Sequence, residues 1–288
     1  AWRRLGAGCA TTVAATATCT RENPRLLHAL RRRLIACRIA CVTSSIQSPP
    51  VRRFVQAIAA GTVPSDLSSD IAAALADAPP RYNIASNGDA LVLVMRDGEV
   101  AVETLRWGLV PRWSKLPETA YSTITARLDR APTSRIYARP WVSRRCVVPM
   151  NGYYKWDRSG TRPVPHFIQS RSGALLYAAG VWDLWEREPP PLASFALLTM
   201  PNAAIPRPLS PDGPLFLPAP KILAWLSGPA PDPARIAGIP QPELEAYPVS
   251  RRIRSRDVDD YTLLEPAAPD APDEADDGLD PEDGVDED

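Results

Sequence analysis

No apolar run in this chain approaches the roughly 18 residues that a membrane-spanning helix requires; the longest, such as Ala174 to Val181, are less than half that length. Histidine is almost missing, with His28 and His166 the only two, and the five cysteines (Cys9, Cys19, Cys37, Cys41, Cys146) follow no regular spacing. An odd, unpatterned set excludes a disulfide framework and fits a reducing compartment. Cys37 and Cys41 lie close together, but no second pair or nearby histidine completes a tetrahedral zinc set, so no metal or cofactor is expected. A Gly-x-Ser-x-Gly nucleophile elbow is also lacking, which leaves His166 as an ordinary strand histidine and not a member of a Ser-His-Asp triad. Glycine is unexceptional at 15, whereas the 33 prolines are about twice average usage. That density excludes a fold built from long uninterrupted helices.

What is present is charge, unevenly placed. Basic and acidic residues number 33 each, yet Pro266 to Asp288 carries 11 acidic residues and no basic one. The preceding chain therefore holds 33 basic against 22 acidic residues, a surplus of 11. A basic body draws polyanions such as nucleic acid. An acidic tail with proline and no aromatics is expected to stay disordered, where it solubilises the domain, competes for the basic surface or binds a protein partner. Residues 1–35 form a basic extension rich in alanine, threonine and arginine, compatible with a targeting segment or with a mis-assigned upstream start. Leu34-Ile35-Ala36-Cys37 has the outline of a lipoprotein cleavage site, but Arg31, Arg32 and Arg33 interrupt the apolar stretch such a site needs. Pro24 to Ile35 reads instead as a basic amphipathic helix or a frayed extension.

From residue 36 the texture changes to short apolar runs separated by turn residues. Ile39–Thr43 reads as a strand, Pro50–Ala60 as a helix opened by proline, and Asp66–Ala78 as a second helix. Ala90–Met95 and Val100–Trp107, joined by Arg96-Asp97-Gly98-Glu99, read as a hairpin. Further strands are expected at Arg145–Pro149, Gly152–Trp156, His166–Gln169, Leu175–Val181 and Phe195–Thr199, with a short helix at Ala219–Leu226 and the ordered part closing at Leu263. These elements predict an α+β fold with a mostly antiparallel, barrel-like β-sheet core and short peripheral helices. The domain spans residues 36–266, followed by the tail at 267–288.

Several segments in order resemble the SOS-response-associated peptidase (SRAP) family, whose members process abasic sites in single-stranded DNA. They are Cys37-Arg38-Ile39, Arg81-Tyr82-Asn83-Ile84-Ala85, Arg106-Trp107-Gly108-Leu109-Val110-Pro111-Arg112-Trp113-Ser114-Lys115, Thr125-Ala126-Arg127 and Thr133-Ser134-Arg135. Arg144-Arg145-Cys146-Val147-Val148-Pro149-Met150-Asn151-Gly152-Tyr153-Tyr154-Lys155-Trp156, Pro165-His166-Phe167-Ile168, Tyr177-Ala178-Ala179-Gly180-Val181-Trp182 and Tyr247-Pro248-Val249-Ser250 complete the set. Each is short, and their order and spacing carry the resemblance.

The resemblance implies a catalytic cysteine exposed as the first residue, whose α-amine and thiol together close a thiazolidine on the sugar aldehyde. An internal cysteine cannot do this. Here Ile35-Ala36-Cys37-Arg38 corresponds to the family's Met-Cys-Gly-Arg start, so Ala36 stands at the cysteine position with Cys37 beside it. Thr125 stands for the family's asparagine, Lys155 for its glutamate and Ser210 for its histidine. A carboxylate that stabilises an iminium is thus replaced by a cation, and a base by a hydroxyl that does not titrate near neutrality. The positions implied to hold DNA are kept: Arg38, Arg127 and Arg135 at phosphates, Asn83 and Trp113 at the cleft wall. Guanidinium suits the first role because its planar fork grips phosphate oxygens. Trp107, Trp156 and Trp182 are expected in the core.

The reading is a cytoplasmic, nucleoid-associated monomer that binds single-stranded or abasic-site DNA without the family's covalent chemistry. Two alternatives stay open. One is an active crosslinking enzyme using Cys37 after processing, or Lys155 as a Schiff-base nucleophile; the other is a non-catalytic structural or adaptor subunit.

Overall fold

The computed structural model describes residues 51–65, 67–118 and 122–268. The expected elements at Pro24–Ile35 and Ile39–Thr43, the acidic tail beyond Ala268, and positions Ala36, Cys37 and Arg38 lie outside them.

In chain order the strands are β1 (Arg53–Gln56), β2 (Arg81–Ala85), β3 (Asp89–Arg96), β4 (Glu99–Trp107), β5 (Thr125–Arg127), β6 (Arg145–Met150), β7 (Gly152–Asp157), β8 (Val164–Ser170), β9 (Leu176–Trp185), β10 (Leu192–Pro201), β11 (Asp212–Pro214) and β12 (Leu244–Pro248). The α-helices are short: α1 (Ser69–Ala76), α2 (Ala138–Ser143), α3 (Ile222–Ser227) and α4 (Pro233–Ala237). Strands β12-β8-β7-β1-β2 make an antiparallel sheet. A second sheet runs β10-β4-β3-β6-β9 and closes through pairing of β9 with β10, so five strands form a barrel in which β4–β10 is the parallel pair. Beyond the ring, the far end of β10 carries β5 on one edge and β11 on the other.

Alternation along the strands sorts the core. Val92 and Val94 of β3 face a cluster that includes Phe54, Tyr153 and Ile168 of the antiparallel sheet, while Leu93 between them joins Ile71, Leu75 and Trp225 from the helices. The outer face of the antiparallel sheet, with Val55, Tyr154 and Phe167, is covered by Ile253 and Leu263 from two C-terminal 3-10 turns. Gln56 stitches the sheets together: its buried amide donates to the carbonyls of Leu91 and Pro149 at 2.8 Å each and accepts from the Leu91 amide at 2.9 Å. Gly180 of β9 is required by close approach, since a Cβ there would meet the Ala196 carbonyl oxygen at 2.8 Å and the Cys146 sulfur at 2.9 Å.

The hairpin forms as the sequence predicts, with Arg96 opposite Glu99 and both Asp97 and Gly98 at positive φ, the turn that matches strand twist. The helix expected over Pro50–Ala60 is instead β1. Val51, Phe54, Val55 and Ile58 have helical spacing and are all buried, but the strand lies between β2 and β7 with apolar layers on both faces. A strand covered on both sides loses the two-residue alternation that would mark it.

Candidate nucleic-acid interface

Strand β4 leads through Gly108 into a turn that presents Arg112 and Trp113, and the segment after β5 delivers Arg135 and, on α2, Arg139. Together with Ile136, Pro140 and Asp183 these residues line an open cleft of about 220 Å³. Trp113 is 42% exposed, unlike the buried Trp107 and Trp182, and the Arg135 guanidinium stacks over its ring at 4.5 Å. Guanidinium on indole is an attractive arrangement that leaves the edge of the fork for an anion. Among the described residues, no ion pair occupies Arg112, Arg135 or Arg139. The Asp183 carboxylate does not quench them: it accepts from Arg144 at 2.6 Å, from the Arg112 amide at 2.9 Å and from the Leu184 amide at 2.9 Å. Behind it Trp182 lies between Arg96 and Arg144, with guanidinium carbons at 4.4 and 4.9 Å from its ring.

The back of the cleft is held by a buried arginine without a carboxylate. Arg145 donates to the carbonyls of Trp141 (2.9 Å) and Val142 (3.0 Å) at the end of α2, and to Trp225 (2.6 Å) and Gly228 at the end of α3. It thereby satisfies orphan carbonyls at two helix C-termini. Burial pushes its guanidinium pKa down from the ordinary value. Trp141 and Trp225 meet edge to face at 5.7 Å beside it, so α2 and α3 are docked as a pair.

Of the other positions singled out from sequence, Arg127 ends β5 on the surface and pairs with Asp129 at 3.1 Å. Thr125 begins β5, and its carbonyl accepts from the Tyr137 hydroxyl at 3.2 Å. Asn83 is buried and fully engaged: it accepts from Arg53 at 2.9 Å and donates to the carbonyls of Ser255 at 2.8 Å and Val258 at 2.7 Å, while its main-chain amide donates to Asp259. Its side chain binds the C-terminal segment to β2.

Lys155 reaches the segment that carries Ser210. Lys155 is buried on β7, and its Nζ donates to the carbonyl of Asp212 at 2.6 Å, two residues beyond the exposed Ser210. Burial pulls its pKa down to about 8, against the opposing pull of the Asp212 carboxylate. Tyr153, two residues earlier on the same face of β7, has its hydroxyl buried without a hydrogen-bond partner, as does the side-chain amide nitrogen of Asn202. Both border the same segment: the Asn202 main chain donates to Pro211 at 2.8 Å, and a Cβ on Gly213 would stand 3.1 Å from the Tyr153 hydroxyl. Sequence reasoning assigned no role to Arg112, Arg139, Asp183, Tyr153 or Asn202. Arg112 beside Trp113 was a usable signal, whereas Asp183 and Asn202 are defined only by the fold.

Among the described residues, no helix is long and apolar enough to cross a membrane, and no group of three or more His, Cys, Asp or Glu side chains is placed to hold a metal. Residues 52–256 match the family described as SOS response associated peptidase (SRAP). Similar proteins include abasic site processing protein YoqW of Bacillus subtilis, 28% identical over 65% of this chain and 86% of that one. Abasic site processing protein YMR114C of Saccharomyces cerevisiae is 36% identical over 41% of this chain and 32% of its own length. Among solved structures, a phage-related protein from Bordetella bronchiseptica superposes with a TM-score of 0.53 at 24% identity, covering 69% of this chain and 93% of that one. A protein from Bacteroides thetaiotaomicron gives 0.52 at 24% identity, over 66% and 82%. The family match across most of the chain, on a fold of the same kind, means that this protein belongs to the SOS response associated peptidase (SRAP) family.

Proposed function

We propose that this chain binds single-stranded DNA at abasic sites through the arginine and tryptophan cleft, as part of the response to DNA damage, and that it does so without the thiazolidine chemistry of a terminal cysteine. The observation that carries the reading is Arg135 stacked on the half-exposed Trp113, in a cleft where the Arg112 and Arg139 side chains pair with no carboxylate among the described residues. Indole offers a base-stacking face, and three guanidinium groups around it suit a phosphate backbone. The relatives named as abasic site processing proteins support the choice of lesion. Absence of the thiazolidine step is supported by Ala36, Thr125, Lys155 and Ser210 at the positions corresponding to the family's catalytic set. Such a protein acts in the cytoplasm, at the nucleoid.

The test is a native gel shift with an oligonucleotide bearing one abasic site, repeated across salt concentrations. Three phosphate contacts predict a slope of about −2 in log affinity against log salt. The complex should dissociate on denaturation when no reductant is added. Lack of any shift at low salt would overturn the proposal.

A further inference from the structure

We propose that Lys155 captures the abasic sugar covalently, its Nζ adding to the C1′ aldehyde of the ring-opened deoxyribose to form an imine. This rests on the abasic-site reading above and names the nucleophile. Its basis is the juxtaposition of β7 with the segment that leads into β11. Lys155 reaches from β7 to the Asp212 carbonyl at 2.6 Å. The Tyr153 hydroxyl, buried and without a partner, lies against Gly213, and the side-chain amide nitrogen of Asn202, buried and also without a partner, belongs to a residue whose main chain pairs with Pro211. Buried polar groups are rarely left in that state, and two on residues that flank the segment Lys155 reaches mark a place for a polar guest. A ring-opened deoxyribose has hydroxyls for both and an aldehyde for the amine. Ser210, exposed two residues before Asp212, marks the side open to solvent.

The chemistry closes without a further reactant. The neutral amine attacks the aldehyde carbon, a proton passes from nitrogen to oxygen to give the carbinolamine, its hydroxyl takes up a proton, and one water leaves as the C=N bond forms; the resulting iminium returns that proton on going to the imine. Burial favours the neutral amine, bringing the lysine down to about 8, so that roughly a tenth is deprotonated at pH 7 against about 0.03% for an ordinary lysine. Tyr153 is held in its protonated form by the same burial, since its pKa is raised well above the usual phenol range, and it stays a donor.

The full chain should be mixed with an abasic-site oligonucleotide and sodium borohydride, resolved on denaturing gels, and the trapped band mapped by peptide mass spectrometry. In parallel, 2-deoxyribose 5-phosphate with borohydride reads the same reaction without DNA, as an increase in intact mass. The expected adduct lies on Lys155, survives Cys37→Ser, reaches half its maximal rate near pH 8, and falls at least tenfold in Lys155→Arg of unchanged melting temperature. A trapped band mapping to another residue, or a native shift with neither trapped DNA nor sugar adduct, overturns the proposal and leaves the binding reading intact. A sugar adduct on Lys155 without any native shift overturns the binding reading alone, and absence of all three signals overturns both.

Discussion

Arg145 should contribute more to stability than any exposed charge, and its replacement separates geometry from charge. Arg145→Met keeps the aliphatic stem but strips donors from four carbonyls. Val142 is 60% exposed and Gly228 half-buried, so water reaches their ends, whereas Trp141 and Trp225 are buried. Two dry carbonyls at about 1–3 kcal/mol each, less the desolvation regained by removing a buried cation, leave a loss of about 3 kcal/mol. For a domain of this size that lowers Tm by roughly 6–12 °C. Urea unfolding followed by tryptophan fluorescence reads it, with the m-value unchanged. Arg145→Lys retains the cation but not the fork, and should lose about 2 kcal/mol. Because α2 carries Arg139 and Pro140, DNA affinity should fall in both variants. A loss below about 1 kcal/mol in Arg145→Met would refute the view that one guanidinium caps both helices.

Trp113→Ala should weaken single-stranded DNA binding by about tenfold, as loss of one base stack does, and Arg135→Ala should also flatten the salt slope; fluorescence anisotropy at two salt concentrations checks both. The folded-state pKa of Lys155, about 8, lies below that of an unfolded lysine, so between these values the unfolded chain holds the extra proton and stability rises with pH. The contribution of Lys155, read as the difference between the unsubstituted protein and Lys155→Met in urea unfolding, should grow by about 2 kcal/mol from pH 8 to pH 10. In the unsubstituted protein the rise should level off and reverse as pH approaches 10, because Tyr153, Tyr154 and Tyr177, all held protonated by burial, ionise in the unfolded chain. Asp259 receives the amides of Tyr82 and Asn83 and the Arg81 side chain, so Asp259→Ala should cost about 2 kcal/mol and increase amide exchange along β2.

Most of the strands were legible as short apolar runs with marked turns between them: Asp97-Gly98 and the run from Arg145 to Trp156 leave little choice. Strand β1 was not, since burial on both faces gives it the spacing of a helix. The three-residue strands β5 and β11 were missed because neither has enough residues for a period; both exist through pairing with β10. Trp113 and Arg135 were found through the family motifs, and the fold brings them into contact. Arg145 and Asn83 illustrate the limit. Both are polar residues in recognisable motifs, and both are spent on backbone carbonyls that lie as far as 83 and 175 residues away in sequence.

Strand β10 works as a ruler for the molecule. Its first half seals the barrel against β9 and β4, and its second half sets Arg127 opposite Thr199 on one edge and Asp212 opposite Pro201 on the other. The surface bearing Arg127 and the strand end that meets Lys155 are therefore indexed to one length of backbone. Inserting a single residue between Leu197 and Thr199 would put both out of phase with the barrel while leaving every side chain near Lys155 and in the Trp113 cleft chemically intact.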